Sequence, residues 1–561
     1  MFLQLSDMKK VLLAGTFLLS SIISFAQQSS ATGKQTSAST SIARPKLVVG
    51  LVMDQMRWDY LYRFYDVYSE TGGFKKLLKD GYSCENTFIP YAPSITACGH
   101  SSIYTGSVPA INGITGNNWW DRELKRTAYC TEDQTVNTVG SSSNQGKMSP
   151  RNMLVTSIAD ELRFSNNFQG KTIGVAIKDR GAILPAGHSA NAAYWYDNST
   201  GNWISSTYYL SELPKWATAF NEKKMPDQYY AKGWSLLYPE AKYTQSSADD
   251  KAYETKTLDG NTFPYDLSKY IGKNYGKINT TPFGNSMTIA FAKEALVNEG
   301  LGADNIPDFL AISFSSPDYI GHSYGPNSKE AEDAMLRLDA DLGDLIRFLE
   351  QKVGKDAFTL FLTADHGASP IPEFLQENKL PGGRVYSSKL MTKLNTSIQN
   401  KYNLKGLILS DDNYQLTLNQ FAIDSAGINK KEIENFILAQ LQFEPGIDRA
   451  FSLTELNTVP LNETIRRDLN NGYYPNRSGD IQLLFKPNYI DAYSATGTTH
   501  GLWNPYDTHI PLLWYGWGIN KGSTNRETYM TDIAATLAAL LHIQMPSGCV
   551  GTVITEAIQK K

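Results

Sequence analysis

The chain has 561 residues, 41% of them hydrophobic and 19% charged, with a formal net charge of −4. That length can bury a large core, in roughly two to four domains or one large domain with insertions. The slightly acidic balance excludes a globally basic surface, so nucleic acid is not an expected partner and any affinity for anions has to be local.

Met8-Lys9-Lys10 supplies a positive start, Val11 to Phe25 is mostly apolar, and Ser24-Phe25-Ala26 offers small residues for cleavage before Gln27. Residues 1–26 therefore read as a signal peptide. Residues 27–45, rich in Ser, Thr, Ala and Gln, read as a flexible leader. The apolar run is short for an anchor, and no later stretch approaches the ~20 apolar residues of a membrane span. A periplasmic or secreted protein without stable membrane insertion is expected, and a monomer. In an oxidising compartment Cys84, Cys98, Cys130 and Cys549 could form two disulfides in any of three pairings, of which Cys84 with Cys130 and Cys98 with Cys549 is the one expected, or stay free, buried thiols.

Lys46 to Met53 is a continuous apolar run that reads as a buried strand, ending in Asp54. An aspartate there commonly caps a turn, but a strand-to-helix junction also suits a metal ligand. Further on, Pro93 and Ser94 begin a helix with Thr96 in its first turn, where unpaired amides and the positive dipole end favour an anion. Thr96 is either a cap or a nucleophile. His100, one turn later, could support Thr96 but reads more readily as an ordinary helix residue. Asn117 lies in a Gly- and Asn-rich loop, placed to donate to a ligand oxygen or to hold a turn. Thr172 to Ile177 is another buried strand. Alternation past its end puts Lys178 and Arg180 on one side and Asp179 on the other, so the two cations either grip a phosphate or are simply solvated.

Residues 191–275 change character: Tyr and Trp are dense and strands are hard to place. This segment reads as an insertion with a small aromatic core beside the site, although a glycan-binding surface has a similar composition. Asp308 to Phe314 resumes the buried-strand pattern and leads to Asp318 and His322, which share a face if the segment turns helically. Asn327 and Glu330 resemble a capping box, and Met335, Leu338, Leu342, Leu345, Ile346 and Leu349 recur at helical steps.

Phe358 to Thr363 is a short buried strand that stops at Asp365, His366 and Gly367. A carboxylate and an imidazole thus arrive together at a strand's carboxyl end, the edge where open α/β sheets bind ligands, and the pair suits zinc. Residues 374–480 form a second insertion with a helix at Lys430 to Leu441. Ile481 to Phe485 and Ile510 to Gly516 read as strands of the returning core, with His500 on a Gly/Thr loop between them and a closing helix at Tyr529 to Leu541. The expected fold is α/β, a central mostly parallel sheet flanked by helices, with core segments 46–190, 276–373 and 481–561 and the two insertions forming a cap beside the active site.

Taken in order, Asp54, Thr96, Asn117, Lys178 with Arg180, Asp318-x-x-x-His322, Asp365-His366 and His500 resemble the alkaline phosphatase superfamily, and more narrowly the PafA-type periplasmic alkaline phosphatases. The resemblance implies two zinc ions: one held by Asp318, His322 and His500, the other by Asp54, Asp365 and His366, with Thr96 beside it as nucleophile and ligand. It also implies that Asn117, Lys178 and Arg180 bind the non-transferred phosphoryl oxygens. Cys98-Gly-His departs from the Cys/Ser-x-Pro-x-Arg of sulfatases in that superfamily. A lysine resembling Lys178 takes the place of the third, magnesium site, so none is expected.

Paired metals can clamp the attacking and leaving oxygens of an in-line phosphoryl transfer. With three aspartates and a threonine alkoxide offset by two divalent ions, Lys178 and Arg180, the site keeps a positive surplus that balances a dianionic monoester. A broad phosphomonoesterase that scavenges phosphate through a phosphothreonine is therefore expected. A nucleotide pyrophosphatase/phosphodiesterase of the same superfamily is the alternative, and a catalytically silent glycan-binding protein is the alternative of another class.

Overall fold

A computed structural model describes residues 42–559, so the expected signal peptide and nearly all of the leader lie outside the described residues. Four of the short apolar runs lie side by side as parallel strands: β1 (Leu47–Met53), β2 (Thr172–Ala176), β3 (Asp308–Phe314) and β4 (Phe358–Thr363). Their spatial order is β4-β1-β3-β2. Every residue in them is buried, which is why they read as unbroken apolar runs and not as alternating ones. Each fully buried Val, Leu or Ile contributes on the order of 1.5–3 kcal/mol relative to exposure, so these strands anchor the fold.

Register decides where the strands stop. Val52 pairs with both Ser313 and Thr363, and Ala176 with Ser313, so the four carboxyl ends are flush along one edge. The residues that follow each strand, Asp54, Lys178, Ser315 to Asp318 and Asp365-His366, therefore emerge together. The expected strand–loop–helix–strand unit is present, as β3, a helix at Ser316–Tyr324, a long helix at Lys329–Lys352 and β4, but β1 lies between its two strands. The long helix is capped by Ser328, whose hydroxyl accepts from Ala331 N. The expected Asn327/Glu330 box does not form: Glu330 instead accepts from the Tyr265 hydroxyl.

The sheet extends beyond the parallel centre. Ala192–Asp197 joins in parallel and Asn202–Ser206 antiparallel at one side; Leu512–Gly516 and Tyr82–Phe88 close the other. Two strands of the presumed aromatic insertion are thus part of the main sheet. Among its aromatic side chains, Trp195, Trp203, Trp234 and Tyr230 are at most 2% exposed and pack inward as a core.

The second insertion has its own apolar core and a four-stranded sheet. Ile481–Phe485 belongs to that sheet, paired with Gln415–Leu418 and Ile447–Ser452, and not to the returning core as its sequence position suggests. The helix Lys430–Leu441 is where its periodicity places it, and the closing helix spans Asp532–Leu541.

All four cysteines are free thiols, which corrects the expected pairing of Cys84 with Cys130 and Cys98 with Cys549. The Cys98 thiol donates to the Ile114 carbonyl, and Cys549 Sγ is packed against Gly106. Burial pushes the Cys84 and Cys130 thiols up to about 12, which leaves them inert.

Candidate active site

Thr96 is the first residue of α1 (Thr96–Thr105), a helix buried along its whole length against the sheet. Its proximity to the strand ends depends on Gly99: a β-carbon there would fall 2.5 Å from the Asp365 Cβ and backbone oxygen. With no side chain at that position, α1 rests directly on the Asp365 backbone. Thr96 Oγ1 then lies 3.3 Å from His366 Nε2.

His366 Nε2 in turn stands 3.5 Å from Asp54 and 3.4 Å from Asp365 Oδ2. On the other side of the site Asp318 and His322 share one face of the Ser316–Tyr324 helix, as their spacing predicts, with Nε2 to Oδ1 at 3.2 Å. His500 Nε2 reaches the same Asp318 oxygen at 3.5 Å, and the His366 and His500 rings stack with centroids 3.4 Å apart. All seven expected ligand residues are therefore in one place. Two groups among the described residues could hold a metal ion: Asp318, His322 and His500, as expected, and Asp54, Asp318 and His366. The second differs from expectation in containing Asp318 where Asp365 was assigned; Asp365 lies beside it, with Oδ1 accepting from Gln55 N and His366 N.

The donor set fits divalent cations. Each imidazole has its Nδ1 on a backbone carbonyl, His322 on Thr498, His366 on Gly367 and His500 on Ser94, which fixes the tautomer and turns the Nε2 lone pair inward. Burial pushes His366 down to about 3 and lowers His500, so both rings are neutral, as ligands must be. Asp54 Oδ1 is buried with no hydrogen-bond donor, while Asp54 Oδ2 meets Lys178 Nζ at 2.7 Å and Asp365 Oδ2 has His100 Nδ1 at 3.3 Å. Burial, then repulsion from Asp365, holds the Asp54 carboxyl well above its usual range; burial also disfavours ionised Asp318, but His322 and Lys178 outweigh it and hold that carboxyl well below.

Lys178 and Arg180 are not arranged by strand alternation, as the sequence suggests. Strand β2 ends at Ala176, Lys178 caps the helix α2 (Asp179–Ala186), and Arg180 is in its first turn. Lys178 Nζ bridges Asp54 Oδ2 at 2.7 Å and Asp318 Oδ2 at 2.6 Å, almost fully buried. Arg180 Nη1 donates to the Tyr129 hydroxyl, which donates to Asp179, while Arg180 Nε is buried with no acceptor. Asn117 Oδ1 accepts from Ala97 N, which leaves its amide nitrogen as the group to offer a ligand.

Two residues at the site were not singled out in the sequence. Gln55, next to Asp54, donates from Nε2 to Asp318 and from its backbone to Asp365. His100, read as an ordinary helix residue, is fully buried, with Nδ1 on the Thr96 carbonyl and 3.3 Å from Asp365 Oδ2, and Nε2 on Ser313 Oγ. Its spacing of one turn from Thr96 was the available signal; nothing in the sequence marked Gln55.

The chain is similar to known proteins over most of its length. Residues 48–507 match the sequence model of the type I phosphodiesterase/nucleotide pyrophosphatase family. The chain is 50% identical to alkaline phosphatase PhoV of Synechococcus elongatus, over 92% of this chain and 94% of PhoV. It is 48% identical to a Myroides odoratus protein named calcium-transporting ATPase, over 93% and 96%. Against alkaline phosphatase PafA of Elizabethkingia meningoseptica the identity is 46%, over 92% and 95%. The crystal structure of wild-type PafA superimposes with a TM-score of 0.91, covering 92% of this chain and all of that one. The chain thus belongs to the type I phosphodiesterase/nucleotide pyrophosphatase family, among its PafA-like alkaline phosphatases.

Proposed function

We propose that this protein is an exported two-zinc alkaline phosphatase that hydrolyses a broad range of phosphate monoesters through a phosphothreonine, in the service of phosphate scavenging. The observation that carries the reading is Thr96 Oγ1 at a helix N-terminus, 3.3 Å from His366 Nε2 and between two groups able to hold metal. Asp318, His322 and His500 would hold one ion, and Asp54, Asp365 and His366 the other. Zinc bound there would supply Lewis acidity at the threonine oxygen and at the leaving oxygen.

The chain's own residues do the rest. Thr96 Oγ1 bonds to phosphorus as the ester P–O bond breaks; water then cleaves the Thr96–phosphorus bond and releases phosphate. The Arg180 guanidinium, held by Tyr129 and with its Nε unpartnered, and the Asn117 amide orient the phosphoryl oxygens. Lys178 pairs with both Asp54 and Asp318 and takes the position of a third cation.

The identity to PhoV and PafA over nearly the whole chain supports monoester over diester chemistry. The ATPase name of the Myroides relative suggests transport, but among the described residues no helix is long and apolar enough to cross a membrane. The discriminating experiment compares an aryl phosphate with a bis-aryl phosphate on the purified protein, with metal analysis and Thr96→Ala alongside. The expected result is two zinc ions per chain, a larger kcat/KM for the monoester, and a loss of several decades in kcat for the variant. A larger kcat/KM for the diester rejects the reading.

A further inference from the structure

A cavity of about 240 Å³ opens directly from the reaction centre. Its lining includes Asn117, His322 and His500 of the site and a wall from the second insertion and the segment after it, which carries Asp411, Asp412, Asp491 and Tyr493. In the phosphomonoesterase reading, the alcohol part of an ester whose phosphoryl group sits by Asn117 and His500 would extend into this space, and that wall would face the leaving group.

That wall is acidic and rigidly mounted. The Ser410 hydroxyl donates to Asp412, and among the groups acting on Asp411 and Asp491 there is no cationic side chain. Burial, then Asp412, raises the Asp411 carboxyl, and burial takes Asp491 up to about 6 with Asp411 adding to it, so the acids crowd one another without a counter-ion. Tyr493, 90% exposed, feels the charge of the same three carboxylates, and it and Tyr414 both line the cavity. The segment is tied to the site at two points, the Tyr414 hydroxyl on the His500 carbonyl and the Asn413 amide on the Asn118 carbonyl. The cavity thus has a cation-binding pole at His322 and His500, where the phosphoryl dianion belongs, and an anionic, aromatic pole at the other end.

We propose that this cavity selects phosphate monoesters whose alcohol carries a positively charged nitrogen, an amino-alcohol or quaternary-ammonium phosphate, and discriminates against alcohols carrying a second anion. The proposal rests on the phosphomonoesterase reading and assigns Asp411, Asp412 and Asp491 as specificity-determining residues. A carboxylate facing an ammonium across the cavity favours it electrostatically, and the tyrosine faces add cation–π attraction for a quaternary nitrogen.

The test measures kcat/KM at low ionic strength for phosphocholine, for its uncharged isostere 3,3-dimethylbutyl phosphate, and for 2-carboxyethyl phosphate. The expected order is cationic, neutral, anionic, with about tenfold between the first two. Asp411→Asn, Asp412→Asn and Asp491→Asn, singly and together, should bring phosphocholine towards the neutral ester while leaving 3,3-dimethylbutyl phosphate within twofold of the parent. That neutral substrate also reports folding and the chemical step. Equal kcat/KM for the cationic and neutral esters, or a preference that persists in the triple variant, overturns the proposal while leaving the monoesterase reading in place; no turnover of any of the three esters overturns the monoesterase reading and the proposal with it.

Discussion

His100 Nδ1 stands 3.3 Å from Asp365 Oδ2, inside a fully buried imidazole that also holds the Thr96 carbonyl and Ser313 Oγ. One side chain thus sets the distance between the helix that begins at Thr96 and the Asp365 carboxylate. Outer groups of this kind typically change metal affinity or activity by about 10–100-fold when removed. His100→Ala should lower kcat/KM by that factor and weaken zinc retention, with the far-UV circular dichroism unchanged. Wild-type activity and metal content in the variant would show that His100 only fills space.

Gly99→Ala tests the same contact from the backbone side. Alanine is the better helix former by about 1 kcal/mol, so propensity alone predicts stabilisation. The added methyl would sit 2.5 Å from Asp365, however, and neither backbone there can yield cheaply. Displacing Thr96 by even ~1 Å costs on the order of 100-fold in rate. The expected outcome is a large fall in kcat together with a lower Tm; a more stable and fully active variant would contradict the close packing of α1 on β4.

Lys178→Met removes the charge between Asp54 and Asp318. All three groups are nearly inaccessible, and deleting one partner of a buried ion pair leaves the other charges uncompensated, at about 3–5 kcal/mol. Urea unfolding of chelator-treated protein should show a loss of that order. Zinc should narrow the difference, because the cations that would sit there compensate the same carboxylates. An unchanged unfolding midpoint under chelator would exclude the bridging role.

Asp160 gives a pH-dependent prediction away from the site. Burial would raise its carboxyl, but hydrogen bonds from His188, Ser157 and Ser189 outweigh that and bring it to about 2 from 3.8. A carboxyl lowered in the folded state adds stability above its unfolded value, and the gain disappears as pH falls through about 2. Asp160→Asn should therefore be less stable by roughly 2 kcal/mol at pH 7, with the difference from the parent shrinking below pH 4. Parallel stability curves for the two proteins across that range would refute the assignment.

Much of the site was legible because each of its first residues follows a buried strand. Asp54 after Leu47–Met53 and Asp365-His366 after Phe358–Thr363 are visible as polar residues that interrupt apolar runs. Asp318 and His322 could be paired by helical spacing alone, and they do share a face. The misreadings have a common origin. Lys178 and Arg180 were placed by strand alternation, but the strand stops at Ala176, and local composition does not say where hydrogen bonding to a neighbour ends. Ile481–Phe485 has the pattern of a core strand because a buried strand looks the same in either sheet.

By itself, then, the order of residues determined which segments become buried strands and which side chains stand at their carboxyl ends, since burial periodicity is a local property of the chain. Only the tertiary structure decided that these ends are flush in the order β4-β1-β3-β2, that His100 and Gln55 brace the carboxylates, that the cysteines stay apart, and that Asp411 and Asp412 of the second insertion and Asp491 beyond it line one cavity with His322 and His500. Those relationships depend on register and packing between segments hundreds of residues apart, and no local pattern encodes them.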